Sequence, residues 1–152
     1  MIRIGIIGCN YGRQVHLLAF RLDSRCSVVA LAGSEAARTA ELARASDIPL
    51  AFGDWRALVE NPEVDAITIS TPPALQPSIA VHALGLGKPV FAEKPMAAEF
   101  AGAEAMVKAA ASSKQANMID FNFSAIPAWQ KAKELLDQGA IGRLRHGFPF
   151  LS

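Results

Sequence analysis

The chain has 152 residues, enough for one domain with a sizeable core. Its 15 Lys and Arg against 14 Asp and Glu leave no field to draw nucleic acid or an anionic membrane surface. With 51% apolar and 19% charged residues, no apolar run near the ~20 residues of a membrane span and no signal pattern in "MIRIGIIGC", the sequence reads as a cytoplasmic globular protein. Cys9 and Cys26 form no C-x-x-C and no metal spacing, so they read as free thiols, and no metal site is expected.

In chain order, "IRIGII" (2–7) is a strand-length apolar run that leads into "GCNYGRQVH". This is a dinucleotide fingerprint with a glycine missing: Gly8 permits the turn, Asn10 tolerates positive φ, and Gly12 lets the next helix pack on the strand. Helix 11–20 carries Val15, Leu18 and Leu22 on one face, and its N-terminus would aim free N–H groups at a pyrophosphate. The alternative is a plain β-α bend with Cys9 as a small hydrophobe. Taken alone, His16 reads as an ordinary packed or surface histidine.

"SVVALA" (27–32) is the next strand, followed by "GSEAAR". Gly33 takes the position where an acid would bind the ribose 2′-OH of NAD. A small residue there leaves room for a 2′-phosphate, Ser34 can donate to it, and Arg38 can pair with it. This favours NADP over NAD, the alternative being that Ser34 is only an N-cap and Arg38 a solvated side chain. Glu35 stands beside both.

"DAITIS" (65–70) and "PVFAE" (89–93) are further buried strands, ending in "STPP" and "EKPMA". Ligands of open α/β sheets lie at the carboxyl ends of strands, so both turns sit where a cofactor would. Helix 99–113 presents Phe100, Ala103, Met106, Val107 and Ala110 on one face. "NMIDF" (117–121) is the last strand of the series, and helix 128–138 carries Trp129, Ala132, Leu135 and Leu136 before a C-cap at Gly139. Strands alternating with helices predict an α/β doubly wound parallel sheet. From 141 onward Leu144, His146, Phe148 and Phe150 alternate on one face, the pattern of a new strand.

With these motifs assembled, the chain resembles the glucose–fructose oxidoreductase, inositol dehydrogenase and MocA family of NAD(P)-dependent oxidoreductases along its whole length. The resemblance rests on the first glycine turn, Thr71-Pro72-Pro73, Glu93-Lys94-Pro95 and "FNFSAIPAWQKAKELLDQGAIGRL". It implies a Rossmann domain over 1–122, an exit helix within 123–140, and 141–152 as the first strand of a C-terminal α+β substrate domain whose remainder is missing.

The implied cofactor-binding set is Gly8, Cys9, Asn10, Tyr11, Gly12, Gly33, Ser34, Arg38, Thr71, Pro72, Pro73, Gln76, Glu93, Lys94 and Asn122. Within it, Thr71, Pro72 and Pro73 would wall the nicotinamide ribose, and Glu93 would hold a cofactor hydroxyl. Lys94 would be catalytic, contacting the ribose and the substrate's carbinol oxygen; Asn122 would lie at the mouth of the site, and Lys94–Pro95 would be cis. Three departures are visible: the first loop is a residue short, Gln76 stands where a histidine often follows the Thr-Pro-Pro turn, and Ser124 stands where many members carry arginine.

The implied reaction is hydride transfer between a nicotinamide and a carbinol carbon of a sugar, cyclitol or related small molecule. Its general base is expected from the second domain, which would also supply a homo-oligomer interface. A non-catalytic NAD(P) sensor or interaction module is the rival reading. An S-adenosylmethionine enzyme shares the glycine turn but does not explain Glu93-Lys94-Pro95.

Overall fold

The computed structural model describes residues 1–143, 145 and 146. It divides into two compact units, Met1–Asp120 and Phe121–Ser152.

The first unit alternates strand and helix. β1 (Ile2–Ile7) leads through a π-turn (Gly12–His16) into α1 (Leu17–Arg21); β2 (Cys26–Ala32) precedes α2 (Ala36–Ala45), and β3 (Leu50–Phe52) precedes α3 (Trp55–Glu60). β4 (Ala66–Ile69), α4 (Gln76–Gly85), β5 (Val90–Glu93), α5 (Phe100–Ser113) and β6 (Asn117–Asp120) complete it. The six strands are all parallel in the order β3-β2-β1-β4-β5-β6. This is the expected doubly wound sheet. The order reverses direction beside β1, so the carboxyl ends of β1 and β4 flank a crevice.

Strands covered on both faces explain the unbroken apolar runs. Ile6 and Leu31 point into one core with Leu17, Ala43 and Ile48, while Ile7, Ala30 and Ala32 point into the other with Leu58, Val59, Ile67 and Ile69. Two neighbours alternate and both are buried.

β3 was not expected. Its three residues, between Pro49 and Gly53, are too short to show a period, and the ladder to β2 fixes them instead. The face expected for the first helix is also corrected. Val15, Leu18 and Leu22 are exposed, and Gly12, His16 and Leu17 are buried. The opening turn closes from the Leu17 N–H to the Gly12 carbonyl, a wider repeat that rotates the buried stripe off the 3.6-residue register. In α5, Met106 is buried but Phe100 and Val107 are largely exposed, so the inward stripe is narrower than the apolar one.

The second unit holds a 3-10 turn (Asn122–Ala125) and α6 (Pro127–Asp137), with Gly139 at φ +71 just past the helix end. Trp129, Leu135 and Leu136 of α6 are each more than a third exposed. Of the strand expected from 141, Leu144 and residues 147–152 lie outside the described residues. No described helix is long and apolar enough to cross a membrane.

Candidate functional site

A cleft of about 470 Å³ opens at the carboxyl ends of β1, β2 and β4. Gly8, Cys9 and Asn10 line it from the first turn, Gly33, Ser34, Glu35 and Arg38 from the second, and Ser70, Thr71 and Pro72 from the β4 turn. Eight of the residues expected from the sequence therefore converge on one wall-to-wall space.

The floor depends on two glycines. Gly8 has φ +126, and a Cβ there would lie 2.2 Å from the Ser70 carbonyl oxygen. That close approach admits only glycine. Gly12 lets the π-turn lie against β1 and β4, since a Cβ would meet Ile6 Cγ2 at 2.9 Å and Ser70 Cβ at 3.1 Å. Asn10 is not in the positive-φ region that the sequence allowed it; Gly8 alone takes the left-handed step in this turn, which relieves Asn10 of it. Tyr11 caps the helix without a side-chain hydrogen bond, and no acidic side chain occupies the first turn, where the Gln14 N–H donates to the Asn10 carbonyl at 3.0 Å.

At the second turn a Cβ on Gly33 would come 2.5 Å from Cys9 Sγ and 2.6 Å from Thr39 Oγ1. The space where an acidic residue would be rooted is filled from below. The α2 N-cap is Glu35 rather than Ser34, so Ser34 is not used in capping. Arg38 and Glu35 make a loose ion pair at 3.9 Å on the exposed rim. Thr71 Oγ1 is buried without a partner, on a residue that lines the cleft. The tight Gly8 turn at the cleft and this orphaned hydroxyl both fit a bound dinucleotide.

Tyr11, Gly12, Pro73, Gln76, Glu93 and Lys94 flank the cleft without lining it. Gln76 is buried and donates from Nε2 to the Pro95 carbonyl at 2.8 Å, bracing the β5 turn from α4. Lys94 is exposed, and Lys94–Pro95 is cis. Asn122 opens the 3-10 turn of the second unit.

Glu93 is placed differently from a group that simply reaches a cofactor. It is 8% exposed; Oε1 accepts from His16 Nε2 at 3.0 Å, and Oε2 accepts from the Lys94 backbone N–H at 3.2 Å. His16 Nδ1 meets Thr68 Oγ1 at 2.7 Å. With Nε2–H donating to the carboxylate, Nδ1 is left to accept the threonine hydroxyl. Asp120 stands opposite Glu93 in the β5–β6 register. Burial pushes the Asp120 carboxyl up, and the charge of Glu93 and a hydrogen bond with it push the same way. The His16 ring meets Tyr11 edge-on at 5.5 Å and Phe91 edge-on at 5.4 Å; burial, then Glu93 and Asp120, raise the Tyr11 phenol.

One atom each of His16, Glu93 and Asp120 lies within 4.8 Å of the others. No sequence spacing groups these three residues. Positions 16, 93 and 120 converge only once β1, β5 and β6 share a sheet. Polar residues inside apolar segments were the available signal: Thr68 within "AITIS", Asp120 ending "NMID", and His16 beside Leu17 and Leu18.

The fold and cleft define a nucleotide-binding α/β domain. The chain belongs to the oxidoreductase family with an NAD-binding Rossmann fold, which matches residues 2–121. It is 32% identical over 154 residues to a levoglucosan dehydrogenase of Pseudarthrobacter phenanthrenivorans, covering 94% of this chain and 39% of that protein. Among solved structures, an NAD binding oxidoreductase from Klebsiella pneumoniae is 34% identical with TM-score 0.82, covering 93% of this chain and 40% of that one. A variant of a 3-ketoreductase from Actinomadura kijaniata, in complex with TDP-benzene and NADP, is 30% identical with TM-score 0.85, covering 95% and 44%. The chain thus spans about two fifths of the length of the curated relatives it matches.

Proposed function

We propose that this chain is the cofactor-binding part of a dehydrogenase that moves a hydride between NADP and a carbinol carbon of a sugar, cyclitol or related small molecule. The observation that carries the reading is the cleft itself, bordered by a glycine-only turn, a helix start without a side-chain cap and Thr71, whose hydroxyl lacks a partner.

When bound, the nicotinamide accepts or returns the hydride. The rest falls to side chains. Cys9, Asn10, Tyr11 and Gly12 would hold the pyrophosphate through backbone N–H groups, with Gly8, whose own N–H donates to the Ala32 carbonyl, letting the turn approach it. Thr71, Pro72 and Pro73 would wall the nicotinamide ribose, with Gln76 acting through the Pro95 carbonyl and Glu93, held inward by His16, acting behind Lys94. Lys94 would orient the substrate oxygen, its ammonium favouring negative charge developing there. The proton acceptor would come from outside residues 1–152.

NADP is favoured over NAD because Gly33 has no room for a carboxylate side chain and Ser34 and Arg38 border the cleft. The relatives with printed cofactors include both kinds, so the preference rests on these residues. Fluorescence titration with NADPH and NADH tests both claims. Wild type should bind both, NADPH more tightly, and Arg38→Ala should erase the difference; a charged contact on this exposed rim is worth about tenfold in affinity. No binding of either dinucleotide overturns the function, and equal affinities overturn the preference. In a longer protein carrying this chain, Lys94→Ala should lower turnover by orders of magnitude and leave Tm nearly unchanged.

A further inference from the structure

We propose that His16 is a positioning residue that keeps the Glu93 carboxylate from pairing with the Lys94 ammonium. The inference rests on the cofactor reading only in what the Lys94 amine is kept free for.

Glu93 and Lys94 are sequence neighbours at the end of β5, where an acid and a cation would ordinarily turn toward each other. They do not form an ion pair here. The carboxylate is turned inward and held at both oxygens, by His16 Nε2 at 3.0 Å and by the Lys94 backbone N–H at 3.2 Å. His16 is itself fixed. Its other nitrogen meets Thr68 Oγ1 at 2.7 Å, Thr68 is fully buried in β4, and two aromatic rings stand edge-on to the imidazole. Thr68 and Glu93 belong to adjacent strands, so one ring spans two strand ends from the helix that follows β1. Asp120 stands opposite Glu93 on β6, with one oxygen within 4.8 Å of the pair.

Remove the histidine and Glu93 Oε1 loses its donor in a site with little water. Burying an unpaired carboxylate is costly, so the carboxylate turns outward to the nearest cation, the amine of the next residue. Lys94 would then be spent in an internal pair. The histidine ends the π-turn that follows β1 and the lysine comes directly after β5, so the turn after the first strand also governs whether the lysine is available.

The test is site-resolved acetylation of Lys94 by a water-soluble N-hydroxysuccinimide ester, taken as a ratio to Lys114, an exposed lysine at the end of α5. Wild type, His16→Gln and His16→Leu are compared across pH, with NADPH titrated in parallel. His16→Gln can still present an N–H to Glu93 and should keep the wild-type ratio. His16→Leu keeps the bulk, loses the donor, and should slow Lys94 relative to Lys114 severalfold. If His16→Leu does not fold, Thr68→Val removes the other end of the clamp at constant volume and should shift the ratio in the same direction. Ratios that stay equal in every folded variant overturn the proposal. Loss of NADPH binding by wild type would overturn the cofactor reading instead, because the Lys94 ratio is measured without nucleotide.

Discussion

Gly8 meets the most severe local demand in the chain. Its φ of +126 lies where L side chains rarely go, and the Ser70 carbonyl occupies the place of a Cβ. Gly8→Ala therefore combines backbone strain with a backbone collision and should cost about 1–3 kcal/mol or more. Urea denaturation should show a lower midpoint at unchanged slope, together with weaker NADPH binding. Gly12→Val tests the neighbouring contact. Its side chain must push Ile6 and Ser70 aside, so affinity should fall while the strand before it stays intact. At this scale the sequence was informative about glycines, because a turn after an apolar run has few other solutions. It was uninformative about His16, whose two partners stand 52 and 77 residues away. Nothing local distinguishes such a histidine from a surface one.

Strands 2–7, 27–32, 65–70 and 89–93 were legible to within a residue or two, because burial on both faces writes itself as an unbroken apolar run, whereas 117–121 forms the edge strand with Asn117 and Met118 exposed. β3 and the orientation of the first helix were not, since one is too short for a period and the other opens with a π-turn. The strand ends carry a second device. Arg3 in β1 grips Asp65, just before β4, through Nε to Oδ2 at 3.0 Å and Nη2 to Oδ1 at 2.7 Å, while the Arg3 backbone N–H donates to Oδ2 at 2.8 Å. The guanidinium hydrogen bond holds the Asp65 carboxyl at about 2, below its ordinary 3.8. A depressed carboxyl stabilises above its unfolded value and loses that contribution as pH falls toward the folded one. Between about pH 4 and pH 2 the wild type should therefore lose stability faster than Asp65→Asn. Asp120 is raised, so its sign is opposite: its contribution is present at low pH and fades as pH rises through the raised value. Asp120→Asn should flatten that upper limb. Urea midpoints measured across pH 2 to 7 check both.

Among the described residues, every buried hydrophobic residue of the core lies between Ile4 and Met106. The first unit thus owns its core, and a chain ending at Asp120 should still unfold in one cooperative step, with Tm within a few degrees of the 152-residue chain. Calorimetry of the two lengths checks this; loss of cooperativity would show that residues beyond β6 hold the sheet together. The His16–Glu93 bond bears on how such a unit comes to exist in time. Its partners meet only after β1, β4 and β5 have aligned, and a loop of that length is slow to close. Each strand–helix segment can collapse early on its own apolar residues, yet the clamp at Lys94 belongs to the last arrangement reached. During refolding, protection of the backbone amides in β1 and β2 should therefore precede the native reactivity of Lys94, leaving a compact species that has its sheet before it has its site.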